Sequence, residues 1–296
     1  MRISPLSGLN DNIRGSLFMV ASMVGFTLED SLIKHLTATM PLGQILMMIG
    51  FTGVVFFGLR ARSQGDTLWT RSYLSKQMLW RSFFEVTGRL SYTASLMLVP
   101  LTLATAILQA TPLVVVAGAA VLFGEQVGWR RWSAIFVGFL GVLIILRPGL
   151  EGFTPLSILS LIGMIGFAGR DLATRAAPPG LSNMQLGIAG FSVLSVAGFI
   201  LSFTGTGMVL PSCEQFGTLG LTAVCGIAAY QFLTMAMRTG EVSSVTPWRY
   251  SRLIFAAIVG FLMFGEAPDS FTILGSVMIV ASGVFTLKRS AKRGKA

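Results

Sequence analysis

Long apolar stretches separated by short polar breaks run through the whole chain, at approximately 14–35, 42–59, 78–98, 102–122, 131–147, 154–175, 183–204, 215–237, 243–264 and 270–287. Each is about 20 residues long, enough as a helix to cross a hydrocarbon core roughly 30 Å thick. The breaks hold turn chemistry or charge: Met40-Pro41, Arg60 to Lys76, Val99-Pro100, Gly124-Glu125, Arg147-Pro148-Gly149, Pro178-Pro179-Gly180, Pro211, Gly240-Glu241 and Glu266 to Asp269. The pattern predicts an all-α membrane protein of ten transmembrane helices.

Charge sets the orientation. With the N-terminus inside and ten alternating helices, sixteen of the 22 lysines and arginines fall on the cytoplasmic side, Arg81 among them, and only Lys34 and Arg147 fall outside. The remaining four, Arg89, Arg170, Arg249 and Arg252, lie within helices. Because cytoplasmic loops concentrate basic residues, this split predicts N-in/C-in topology.

The chain also repeats itself. Met23-Val-Gly-Phe-Thr-Leu-Glu-Asp-Ser-Leu-Ile-Lys34 matches Met164-Ile-Gly-Phe-Ala-Gly-Arg-Asp-Leu-Ala-Thr-Arg175 at an offset of 141, and the same offset lays Phe123-Gly124-Glu125 on Phe264-Gly265-Glu266. An odd number of helices per half turns the second half upside down. The expected organisation is two inverted five-helix repeats, 1–149 and 150–296, an architecture used by transporters with a site near the repeat interface.

Composition removes other classes. Only 11% of the 296 residues are charged and 53% are apolar, against about 25% charged for a usual soluble domain. The net charge of +10 is explained by the basic loops, so nucleic acid is not an expected partner. One histidine, His35, and two cysteines without metal-ligand spacing give no metal site, and no cofactor is expected. A membrane-embedded enzyme acting on a lipid-linked substrate is the alternative. The chain lacks the nucleophile or metal constellation such an enzyme needs.

The two Gly-Glu pairs, Gly124-Glu125 and Gly265-Glu266, and the stretch 130–148 (RRWSAIFVGFLGVLIILRP) resemble the EamA-type ten-helix members of the drug/metabolite transporter superfamily. Thr246-Pro-Trp-Arg-Tyr250 resembles a stretch of a subgroup that includes S-adenosylmethionine carriers, with other relatives moving amino acids or riboflavin. The resemblance covers nearly the whole chain. It implies a multi-pass inner-membrane transporter in which the first four helices of each half surround a central cavity. The fifth and tenth helices would stand outside it, available for a homodimer.

Ionisable groups at membrane depth are costly and face a cavity or one another. Glu85 and Arg89 are spaced i, i+4 in an order suited to a helical pair, yet Arg89 falls mid-span, where a substrate could compete for it. Arg249 and Arg252, spaced i, i+3 with no acid nearby in sequence, call either for carboxylates from other helices or for an anionic ligand gripped by the guanidinium fork. Tyr92, Tyr230 and Tyr250 are candidates for ring packing and hydrogen bonding. Asp30 and Asp171 are repeat-related, with Lys34 and Arg175 each four residues on: either helix-end ion pairs or alternating gates. The expected substrate, met by alternating access, is a small polar organic metabolite with an anionic or zwitterionic part.

Overall fold

The computed structural model describes residues 11–124, 128–146, 154–176, 181–202, 208–239 and 245–293, and among them every regular element is helical. They are α1 (Asp11–Leu36), α2 (Leu42–Ser63), α3 (Lys76–Leu98), α4 (Leu101–Leu108), α5 (Thr111–Phe123), α6 (Trp129–Leu146), α7 (Ile158–Arg175), α8 (Asn183–Ser202), α9 (Cys213–Thr239), α10 (Ser251–Phe264) and α11 (Ser270–Arg293). Three 3-10 turns, Arg71–Leu74, Pro155–Ser157 and Thr246–Tyr250, precede α3, α7 and α10.

The fourth apolar stretch is broken, unlike the single helix expected over 102–122. Proline in the first turn of α5 has no N–H to give α4 and forces a fresh start. The chain therefore turns at Gln109-Ala110, which frees the Gln109 side chain to donate to the backbone carbonyl of Arg249 at 2.8 Å.

Among the described residues, six segments are long and apolar enough to cross a membrane alone: Asp11–Leu36, Leu42–Ser63, Leu101–Leu122, Pro155–Thr174, Asn183–Ser202 and Cys213–Ala236. Trp132–Leu146 and Ser270–Ser282 are shorter apolar helices. α3 and the 246–264 segment are apolar too, but they carry Arg81, Glu85 and Arg89, and Arg249 and Arg252. Those two segments supply four interior arginines, while Glu29, Asp30, Arg170 and Asp171 ride on spans apolar enough to cross alone.

Polarity is inverted relative to a soluble protein. Phe51, Leu59, Val121, Phe136, Leu262 and Val277 are exposed, whereas Glu29, Asp30 and Arg81 are at most 2% exposed. Apolar side chains gain nothing by hiding from lipid, so helix association must rest on close packing and polar contacts.

Glycine supplies the close packing. α1 lies along α9, α2 along α8, α3 along α7 and α6 along α11. A Cβ added to Gly166 of α7 would stand 2.4 Å from the Gly88 Cα of α3, and one on Gly141 of α6 would stand 2.8 Å from the Gly275 carbonyl of α11. Both distances are shorter than van der Waals contact, so only glycine permits these crossings.

Candidate functional site

The Gly-Glu pair that closes α10 is a built structure rather than a bare break. Gly265 takes φ +65, and the N–H groups of Gly265 and Glu266 return to the carbonyls of Phe261 and Gly260, at 3.0 Å each. That left-handed cap is the conformation glycine adopts without strain. It turns Glu266 onto the start of α4, where its carboxylate accepts from the N–H groups of Leu101 (2.9 Å) and Thr102 (3.1 Å) and from the Thr102 hydroxyl (3.2 Å). A helix N-terminus has spare donors and a partial positive charge, so a carboxylate fits there. Lys34, at the end of α1, completes the clamp: its Nζ lies 2.7 Å from Glu266 Oε1 and 3.0 Å from the Val99 carbonyl. Lys34 therefore does not pair with Asp30 four residues before it. Asp30 points inward, where a buried guanidinium has the greater need of it.

Two adjoining cavities open among the central helices. The first is lined by Glu29, Glu85, Leu90, Phe191, Gly226 and Tyr230 and their neighbours. The second is lined by Met23, Tyr92, Gln109, Asp171, Arg249 and Arg252 among others. Phe26, Arg89, Phe167 and Arg170 line both and so form the wall between them. Phe26 and Phe167 are equivalent in the repeat. Each ring lies beneath a guanidinium, Arg252 at 5.5 Å and Arg170 at 5.0 Å.

The charged groups pair across helices. Arg89 Nη2 donates to Glu29 Oε1 and Arg252 Nη2 to Asp30 Oδ2, which also accepts from the Tyr92 hydroxyl at 3.1 Å. Arg170 grips Asp171 Oδ1 through Nη2 (2.8 Å) and Nε (3.1 Å), and its Nη1 lies 3.8 Å from Glu85 Oε1. Arg249 reaches Asp171 Oδ2 at 3.4 Å only. Arg81 lies 2.8 Å from Glu85 Oε2, too poorly aligned for a hydrogen bond on that atom, and its Nε donates to Thr174 Oγ1 at 3.0 Å.

These contacts correct two local pairings. Glu85 is held by Arg81 and Arg170, not by Arg89, because Arg89 spans the gap from α3 to Glu29 on α1. Asp30 is held by Arg252 and Tyr92 rather than by Lys34. The side chain of Arg175, expected beside Asp171, lies outside the described residues, as does Glu125.

Of the other expected site residues, Tyr92, Arg249 and Arg252 line the second cavity, Tyr230 lines the first and Arg89 lines both. Tyr250 lines neither. It is 6% exposed within an apolar cluster, its hydroxyl without a hydrogen-bond partner.

Glu29 and Arg170 stand among the ionisable groups that the sequence places at membrane depth but outside the expected site; Arg81 and Gln109 carry no such expectation. Arg81, expected on the cytoplasmic side, is 2% exposed inside the bundle. Its spacing of four from Glu85 was the available signal.

Among the described residues, and with Arg81 included, the interior network holds five arginines (81, 89, 170, 249, 252) against four carboxylates (29, 30, 85, 171), a surplus of one positive charge. Arg89 and Arg252 both line the second cavity, and the buried Nε of each has no acceptor among the described residues. A cavity with surplus positive charge and idle guanidinium donors is chemically disposed to hold an anion.

The EamA-like transporter family model matches residues 13–147 and again 155–288. The chain belongs to this family. An S-adenosylmethionine uptake transporter of Rickettsia prowazekii is 27% identical over 205 residues, 69% of each chain. A riboflavin transporter of Rhizobium johnstonii is 25% identical over 283 residues, 94% of this chain and 92% of its own. A pseudopaline exporter of Pseudomonas aeruginosa is 24% identical over 280 residues, 94% of this chain and 97% of its own. The fold also matches a chain of known crystal structure with a TM-score of 0.57, covering 93% of this chain and 99% of that one at 16% identity. The EamA-like protein is thus a multi-pass protein of the cell membrane in a family of transporters.

Proposed function

We propose that the EamA-like protein is a secondary transporter that carries a small polar organic metabolite with an anionic or zwitterionic part by alternating access. Its anion-binding groups are Arg89, Arg249 and Arg252, with Tyr92 beside them in the second cavity and Tyr230 across the shared wall in the first. The observation that carries this reading is the second cavity, where two buried Nε donors have no acceptor and the network keeps one positive charge in excess. A carboxylate or phosphate would occupy those donors and cancel that charge. The S-adenosylmethionine and pseudopaline relatives, with substrates named at opposite transport directions, leave the direction for this chain open to assay.

The ten-helix, N-in/C-in arrangement is part of the proposal. Two inverted halves are supported by the family match falling in two blocks and by the helix partners. α1 packs on α9 as α3 packs on α7, the exchange a two-fold relation between halves requires. In that orientation Lys34, Val99, Leu101 and Glu266 all lie at the outer side. The clamp then holds the outer side shut, and Asp30, one turn deeper, ties α1 to α10 through Arg252. Asp171 ties α7 to the turn before α10 through Arg249. Movement of one half against the other must exchange these ties, which gives both aspartates a part in gating.

The test is a thermal-shift and proteoliposome-uptake screen against amino acids, S-adenosylmethionine, riboflavin, nucleotides and organic acids. Arg252→Lys is run alongside, since lysine keeps a cation for Asp30 but has no Nε fork. A compound whose stabilisation and uptake are lost in Arg252→Lys supports the site. Unchanged affinity in that variant refutes it.

A further inference from the structure

Glu29 is the least compensated carboxylate in the interior. It is 1% exposed, its Oε1 accepts from Arg89 alone, and its Oε2 has no partner. The other three acids are better held: Asp30 by Arg252 and Tyr92, Glu85 by Arg81 and Arg170, and Asp171 by Arg170 and Arg249. Displacing Arg89 therefore leaves Glu29 with neither cation nor hydrogen bond, whereas Asp30 without Arg252 keeps the Tyr92 hydroxyl, and Glu85 and Asp171 each keep a second arginine.

That guanidinium is the one placed to be drawn away. Arg89 lines both cavities, facing Glu29 in the first and the idle donors of the second. The groups around Glu29 come from five helices. α9 brings Cys225 and Tyr230, α3 brings Arg89 and Glu85, and α7 brings Arg170. α10 brings Arg252, already engaged by Asp30, and α1 itself brings Asp30, the next residue in the chain. On α9, Gly226 presents backbone and no side chain of its own to the carboxylate: a Cβ there would stand 2.8 Å from Glu29 Cδ.

We propose that Glu29 is a proton-binding site worked by exchange at Arg89: when an anionic group takes Arg89, Glu29 picks up a proton, and when the anion leaves, the proton leaves with it. The bond formed is O–H on Glu29, the proton comes from water reaching the first cavity, and Arg89 stays protonated throughout. A buried carboxylate stripped of its cation is neutralised rather than left charged. One proton then binds for each anionic group bound at Arg89, which couples transport to the proton gradient. The coupling rests on the transporter reading, whereas the dependence of Glu29 on Arg89 for its counter-charge is a property of the empty protein.

Arg89→Ala imitates the occupied state without any substrate, and infrared spectroscopy reads the C=O stretch of protonated carboxyl groups directly. At pH 7 Arg89→Ala should show a protonated-carboxyl band that wild type lacks and that Arg89→Ala/Glu29→Gln loses. Arg89→Gln should behave as Arg89→Ala does, and serves if the alanine variant misfolds. In wild type the same band should grow in only at a lower pH, where protons compete with Arg89. Absence of a Glu29-dependent band at pH 7 in both Arg89 variants overturns the proposal, since Glu29 would then have found another cation. The outcome does not depend on the uptake screen. A negative screen with the band present removes the anion site and leaves the proton site standing.

Discussion

The clamp at the end of α1 gives a prediction whose size can be worked from its contacts. Glu266 receives four donors, three of them from the start of α4 and the fourth from Lys34. Glu266→Ala removes a cap, worth about 1 kcal/mol, and a charge-assisted contact worth about 1.5–3 kcal/mol. Lys34 and Glu266 are 18% and 11% exposed, which places the second figure towards its lower end and the total near 3 kcal/mol. Lys34→Met is milder, because Glu266 keeps its helix donors, and should cost about 1.5 kcal/mol. In a detergent melt these become losses of roughly 6–12 °C and 3–6 °C in Tm. The double variant should show coupling on the order of 1–2 kcal/mol, because each substitution removes the same contact. Equal losses in the two single variants, or strict additivity, would refute the clamp as described.

Other consequences follow from single contacts. Gly166→Leu should abolish a folded peak in size-exclusion chromatography, since even a Cβ would stand 2.4 Å from Gly88 Cα; Gly58→Leu, with nothing within 4 Å, should melt within about 0.5 kcal/mol of wild type. Arg81→Met should destabilise by about 3 kcal/mol in the same melt, because Glu85 would keep only Arg170 at 3.8 Å, and Arg81→Lys should recover part of the loss. Phe26→Leu and Phe167→Leu each remove a ring beneath a guanidinium, a contact worth about 0.5–2 kcal/mol, and should weaken substrate binding by up to roughly thirtyfold in a titration while leaving the fold intact.

The sequence made the helices legible because lipid imposes one rule on every span, and made the repeat legible because Gly25-Phe26 and Asp30 recur as Gly166-Phe167 and Asp171. Even the cap was visible as a motif, though its purpose was not: the sequence says that Gly265 ends a helix, not that Glu266 then caps α4 a hundred and sixty-five residues away. Partner choice was the part that spacing misjudged. Pairs at i, i+4 are worth a few tenths of a kcal/mol on a wet helix surface, so that rule decides little when burial raises the cost of every unpaired charge. Inside the bundle, Arg89 left Glu85 for Glu29, Asp30 turned to Arg252, and Lys34 turned to Glu266. Which helices meet is set by where glycine lets backbones approach, and that is written in three dimensions only.

The burial of Arg81 also alters the charge balance of the interior. With Arg81 in a loop, four arginines and four carboxylates cancel and the interior could be a closed set of ion pairs. Once Arg81 is buried against Glu85 and Thr174, no arrangement of these nine groups can neutralise itself. Burying an uncompensated charge is unfavourable, so the surplus has to be tolerated in the empty protein and relieved by something that arrives. Under the proposed function a transported anion would do that, beside Arg89 and Arg252, whose Nε donors are idle among the described residues. On that reading the deficit in the protein's own pairing specifies the charge of its cargo.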